Sequence, residues 1–430
     1  MSLRGCDRLV AAGAALGIVI AYGTSTSGRT QDSWGGVLDE HPAIQYATRP
    51  TTDRVAKLNE ALAQNGRSLQ RDPRNGYLRS VLDALGIPIE SQLLVFSKTG
   101  VQSSYTSPQN PRALFFDESI AVGYVPGAPF LELAAHDSQQ GVVFYTLDQA
   151  ATAPSFTRRT SCRSCHVSAS TQNVPGMIVR STTVGDDGNV MPFSDTHDVN
   201  HQTPHPDRWG GYLVTSEGPV PYSQRAHSGN ITFSGRGNTS NQVFVDWISG
   251  SPEARGYPSD SSDVVALLTF DHQMHAINLL TRLNWEARVA SGRGRAEASD
   301  AETVRRLVDE LADYLLFVGE ARLPVPLAPR PGFAEYLESK VPKDRRGRSF
   351  GQLDLVNRLM KYPCSYIVYS AAFDALPSPV KQAIYARMAD ILSGRDSRRA
   401  YASLTSEDRR AILEILRDTK ADWPLTSSAR

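Results

Sequence analysis

Cys162, Cys165 and His166, in the stretch Ser161-Cys-Arg-Ser-Cys-His-Val-Ser168, are the residues whose types and spacing most clearly prescribe a chemistry. Two intervening residues bring both thiols onto one short turn. Each can then form a thioether to one vinyl group of a porphyrin, and the adjacent imidazole lies under the iron as a nitrogen ligand. The leading expectation is therefore one covalent haem c, with His166 as the axial iron ligand. Two other chemistries use the same residue types. Structural zinc needs four ligands, and with no second CxxC the candidates to complete it are His197, His201 and His205. A redox dithiol wants a strand before the motif and a helix after it, whereas "PSFTRRTS" reads as a basic loop.

If haem is held there, the sixth iron ligand separates a carrier from an enzyme. A Met or His in that position suits electron transfer, and an open position admits a substrate. Met177 follows the motif closely, too near in sequence to reach the far face with ease. Met191 in "NVMPF" is better spaced. His197, His201 and His205 recur every four residues, but Pro204 and Pro206 rule out one continuous helical ligand face. Taken singly, these histidines and His227 read as solvated loop residues. His272 and His275 lie three apart within a helical pattern, so they neighbour each other on one face, and Asp271 and Glu286 fall on the same polar stripe. That stripe is either a set of paired surface charges or a distal pocket, with His272 or His275 as sixth ligand or acid/base group. The candidate sixth ligands are His272, His275, Met191 and His201. Arg158, Arg159, Arg163 and Arg180 cluster around the motif. Their guanidinium groups match haem propionates or form a docking patch for an acidic redox partner. Cys364, in apolar "LMKYPCSYIVYS", reads as a buried inert thiol.

These residues need elements to hold them. Apolar spacing predicts an amphipathic helix over 51–65 closed by Gly66, and a second over 76–85. The period then changes to two. "SQLLVFSK", "ALFFDES", "IAVGYV", "PFLELAAHD" and "GVVFYTLDQ" predict short strands of a small, mostly antiparallel sheet, with turns at 125–129 and 137–141. Residues 150–260 are rich in Ser, Thr, Gly, Pro, Asn and His and lack clean periodicity, which together with their aromatics predicts a loop-rich region wrapped around a ligand. From 261 onward the chain reads as helical. A long helix opens at Ser/Asp capping candidates, another opens at a Ser299/Glu302 capping box and closes at Gly319, and a third has Ser378 as cap, Pro379 first and Gly394 last. A final helix ends before Pro424. The expected class is α+β: a β-rich N-terminal part, a loop-rich haem-binding middle and a helical C-terminal part.

Arg4 and Arg8, an apolar run over 9–22 and small polar residues over 23–28 have the layout of a secretory signal peptide, and the apolar run is short for a membrane span. The expected organisation is a signal at 1–28, a tether at 29–50, an α+β segment at 51–150, the haem region at 151–260 and the helical region at 261–430. The expected location is periplasmic or otherwise exported, soluble once the signal is removed, with contact to membrane only through that signal or anchor. Cys6 leaves with it, and three remaining cysteines do not make a disulfide scaffold. With 45 basic and 45 acidic residues the chain lacks the positive excess of a nucleic-acid binder.

"CRSCH" resembles the haem-attachment site of the c-type cytochromes. More widely, "SCRSCHVSASTQNVPGMIVRS", "RWGGYLVTSEG", "FDHQMHAINLLTRLNWEARVA" and "YPCSYIVYSAAFDAL" resemble large bacterial proteins described as cytochrome c domain-containing. The likeness covers most of the chain after the signal, and it carries a role only onto Cys162, Cys165 and His166. The chain is larger than small soluble cytochromes, and it has one CxxCH where di-haem peroxidases have more. The leading expectation for function is electron transfer through a single haem, with a redox partner protein. The alternatives are a mono-haem oxidoreductase of peroxidase or oxygenase type with an open distal site, a haem-based sensor, and a zinc-stabilised periplasmic binding protein. The chain's length, beyond what shielding one haem requires, speaks for an enzyme.

Overall fold

Alternating side chains build the sheet that organises the molecule. The computed structural model describes residues 38–217, 231–234, 255–292 and 298–424. The expected signal at 1–28 and His227 lie outside the described residues. Ten strands are described: β1 (Leu93–Val95), β2 (Arg112–Phe116), β3 (Ile120–Tyr124), β4 (Phe130–Asp137), β5 (Gly141–Asp148), β6 (Phe156–Arg158), β7 (Arg180–Thr182), β8 (Thr196–Asp198), β9 (Tyr212–Ser216) and β10 (Ile231–Ser234). Eight of them form one sheet in the order β10-β9-β1-β2-β3-β4-β5-β6, and β7 pairs with β8 apart from it. All neighbours in the large sheet are antiparallel except β9 and β10. The five strands expected between residues 93 and 148 are all present, and the class is α+β.

Among the described residues the helices of eight or more residues are α1 (Arg54–Ala63), α2 (Leu78–Leu85), α3 (Val264–Gly292), α4 (Ala298–Leu315), α5 (Phe333–Lys340), α6 (Ser378–Leu392) and α7 (Ser406–Thr419). Local signals explain their ends. Asp53 Oδ1 accepts the backbone N–H groups of Val55 and Ala56 at the start of α1, and Asp263 does the same for Val265 and Ala266 at the start of α3. Gly86 and Gly394 adopt positive φ just beyond α2 and α6. The helix at Ala298 is already running when it reaches Ser299, so that residue lies in the first turn and is not the cap. Helix α5 went unforeseen.

Strand period two divides the sheet into two faces. Leu131, Leu133 and Ala135 of β4, with Val143, Tyr145 and Leu147 of β5, pack into a core shared with α1 and α2. Val142 and Phe144 face the opposite core, built around α3 and the C-terminal helices. On that second face Phe130, Glu132, Ala134 and His136 are only half-buried.

Two expectations about organisation need correcting. Residues 38–50, read as the end of a tether, are packed: Leu38, Ile44 and Tyr46 are buried, and Tyr46 Oη donates to Val142 O at 2.8 Å. The middle region, read as lacking regular elements, contributes β6 to β10. It is woven into the sheet, with β9 paired directly to β1. Buried Ser262 locks that junction, since its Oγ donates to Leu213 O at 2.6 Å and accepts Leu94 N–H at 2.9 Å. Replacing Ser262 by Ala orphans both backbone groups. A loss of about 2–3 kcal/mol is expected, measured as a lower urea midpoint at unchanged slope.

Candidate functional site

The Cys-x-x-Cys-His stretch forms a single turn after β6. A 3-10 turn at Thr160–Cys162 runs into a helical turn at Arg163–His166. Positions three and four apart share a face, so the turn displays Cys162 beside Cys165 and His166. Cys162 is half-buried, Cys165 is exposed, and both thiols are free. Burial raises the Cys162 thiol above its ordinary pKa and nearby Glu132 adds to this, while Arg159 opposes.

The imidazole of His166 is fixed in orientation. Its Nδ1 lies 2.9 Å from Gly176 O, and Gly176 N–H donates back to His166 O at 3.0 Å. A carbonyl only accepts, so Nδ1 carries the proton. Burial pushes the His166 pKa down, Arg112 and Arg180 add to this, and the Gly176 carbonyl opposes it. The neutral ring therefore keeps its lone pair on Nε2, as a metal-ligating histidine whose other ring nitrogen donates to a backbone carbonyl requires. The Phe144 ring packs against it with centroids 4.7 Å apart.

Helix α3 holds the segment that holds His166. Asn278 Oδ1 accepts Met177 N–H at 3.1 Å and its Nδ2 donates to Met177 O at 2.8 Å. A Cβ at position 176 would overlap the Asn278 amide, so only glycine allows this approach. Pro175 O accepts Val142 N–H and ties the same segment to β5.

Cys162 and His166 line a cavity of about 360 Å³ over the half-buried face of the sheet. Its walls are mostly apolar, including Leu114, Ala134, Phe144 and Phe270, with Arg112, Glu132 and Arg159 as the charged groups. The volume is within the range of ligand cavities, and few polar groups among apolar walls is the usual composition of a cofactor site. Arg112 Nη1 is 4.0 Å from Glu132 Oε2. Thiols on one turn, an Nε2 lone pair and an apolar hollow together fit a covalently attached porphyrin.

The four candidate sixth ligands are not brought to this cavity. Met191 is exposed on its loop. His275 lines a separate hollow of about 120 Å³, and Met177 and Ile178 form the wall shared by the two. His201 and His272 are fully buried against each other, with Nδ1 atoms 2.7 Å apart. His272 Nε2 pairs with Ser365 Oγ at 2.7 Å, and both rings stack on Tyr314 and Phe317. The expected stripe of Asp271, His272, His275 and Glu286 is therefore no distal pocket. Asp271 is buried against Trp209 Nε1 at 3.0 Å and Arg208, and Glu286 pairs with Arg282. His201 and His205 are core residues and not the solvated loop histidines expected. His197 is half-buried on β8. Met177, set aside for its closeness in sequence, does line the cavity.

Of the four arginines around the motif only Arg159 lines it. Arg158 is engaged by Tyr46 O and Gln140, Arg163 by Asp39, and Arg180 by Asp198. Sequence reasoning missed Arg112, Glu132, Gly176 and Asn278. The alternation of β4 signalled Glu132, since it places a carboxylate among apolar residues on one face. Nothing local marked Asn278. Cys364 is buried as expected, and burial raises its thiol pKa. Among the described residues no group of three or more His, Cys, Asp and Glu is placed to hold a metal ion. Comparison with protein-family models, curated proteins and solved structures returns no match.

Asn278→Ala leaves the N–H and C=O of Met177 without partners. It is expected to cost about 3 kcal/mol in urea unfolding. The buried histidines make a second prediction. Burial, with His275 nearby, lowers His272 to about 3, against about 6.5 in an unfolded chain. Between those values the unfolded chain binds a proton that the folded one refuses, so this contribution is present above about 6.5 and lost as pH falls. Asp271, raised to about 6 by burial, works in the opposite direction below that pH. The slope of stability against pH is therefore expected to flatten in His272→Gln by about 1.4 kcal/mol per pH unit between pH 4 and 6.

Proposed function

We propose that the protein is an exported c-type cytochrome protein with one haem held by thioethers at Cys162 and Cys165, His166 serving as axial ligand, and that it passes electrons to a partner protein. The observation that carries this is the neutral, Gly176-anchored His166 on the lip of an apolar cavity that Cys162 also lines. When bound, the haem would supply a one-electron couple at its iron. The chain's own residues orient the ring nitrogen, through Gly176 and Asn278, and exclude water with Leu114, Phe144 and Phe270. Arg112 and Arg159 are the cations available to propionates. Export is supported by the N-terminal residue pattern. Among the described residues no helix is long and apolar enough to cross a membrane.

A second reading, an oxidoreductase with an open iron position, is favoured by one observation. His272, His275, Met191 and His201 all lie outside the cavity, whereas the Arg112–Glu132 pair faces into it. The zinc reading finds no cluster among the described residues to support it.

The test is a pyridine haemochrome spectrum of acid-acetone-extracted protein, expressed with its own N-terminus in a host that matures c-type cytochromes. The α-band of thioether-linked haem should survive extraction and be absent from Cys162→Ala/Cys165→Ala. No band from folded wild-type protein would sink both haem readings. Cyanide added to the ferric protein then separates them, since an unchanged low-spin spectrum marks the carrier and a shifted one the open site.

A further inference from the structure

A second concavity lies among the C-terminal helices and does not share the residues of the cavity at Cys162. It measures about 890 Å³ and is walled by the segment after α4, the irregular stretch over 346–363 and the first turns of α7. Most of its carboxylates are already spoken for. Asp408 takes a two-pronged contact from Arg358 at 2.6 and 3.2 Å, and Glu414 takes Arg346 at 3.0 Å and Arg348 at 2.8 Å. Asp354 accepts the backbone N–H groups of Val356 and Asn357. Glu320 is half-buried, accepts Leu359 N–H at 2.9 Å and is pushed by desolvation up to about 7, so its charge is partly lost at neutral pH.

Against these stand Arg322, Lys361, Arg399 and Arg410, all exposed and all lining the same cleft. Among the described residues their charged groups make no hydrogen bond or ion pair, and Lys361 only overlies the Tyr362 ring. The chain as a whole is neutral. Glu407, also exposed in the cleft, is the one carboxylate of the lining that makes no hydrogen bond or ion pair among the described residues. Four uncommitted cations from separate segments against that single carboxylate form a local excess, which like-charge repulsion disfavours without an anion. Guanidinium forks on separate walls suit an anion with several charged oxygens on a compact body.

We propose that this cleft binds a small multiply charged phosphate compound. Dense charge and tetrahedral oxygens let several cations engage one ligand from different sides, which a single carboxylate cannot do. The cleft is independent of the haem reading.

Isothermal titration with inorganic pyrophosphate, at constant ionic strength near physiological, tests it on the full chain. One-to-one binding with a dissociation constant below about 1 mM is expected. Arg322→Gln/Arg399→Gln should weaken it by about tenfold or more, the scale of a lost charge-assisted hydrogen bond, and Arg305→Gln, on an exposed face of α4, should leave it unchanged. These are exposed positions, so folding is not at stake. A flat isotherm, equal affinity in the double variant, or citrate binding as tightly as pyrophosphate would each overturn the proposal.

Discussion

A helix buried on nearly every side cannot leave its polar side chains without partners, and α3 is such a helix. Asp271, His272, Gln273 and Asn278 are all buried within it. Each reaches a segment distant in sequence. Asp271 holds Trp209 and Arg208, His272 holds His201 and Ser365, Gln273 holds Tyr366 and Asp117 O, and Asn278 holds Met177. Desolvating any one of these groups without its partner costs a few kcal/mol, so the loops have little freedom to dock elsewhere. The helix thereby sets the path of a long irregular region that has few backbone ladders of its own.

The candidate site inherits its order from this arrangement. Asn278 clamps Met177, the clamp fixes Gly176, and the Gly176 carbonyl fixes the ring of His166. Glycine is required at 176 because the clamp comes too close for a Cβ. The sheet supplies the other wall. Its alternation leaves one face of β4 half-buried, and the Cys162 turn stands at the margin of that face. A helix, a loop and a sheet must all be in place before the hollow has its shape.

The same desolvation accounts for the misreading of the helix polar stripe. Asp271, His272 and His275 share one side of a helix, which looks like a ligand face when only the helix is considered. Their environment comes from Arg208, His201, Tyr314 and Phe317, none of them neighbours in sequence. The strands of the middle region were hidden for a related reason. β7 and β8 have three residues each, too few for a period to show, and β9 is recognisable mainly through its pairing with β1. Residues 38–50 looked like a tether because a few apolar residues without period carry no signal until a core receives them.

Sequence alone determined what depends on near neighbours. The CxxCH turn, the five strands between 93 and 148 and the caps of α1 and α3 follow from side chains within a few residues of one another, where local geometry decides. Tertiary structure decided what depends on burial. It turned His201 and His272 into core residues, gave Asn278 and Gly176 their hold on His166, and placed Arg112 and Glu132 in the hollow. Which side chains lose water, and which partners compensate them, is settled only when distant segments pack together.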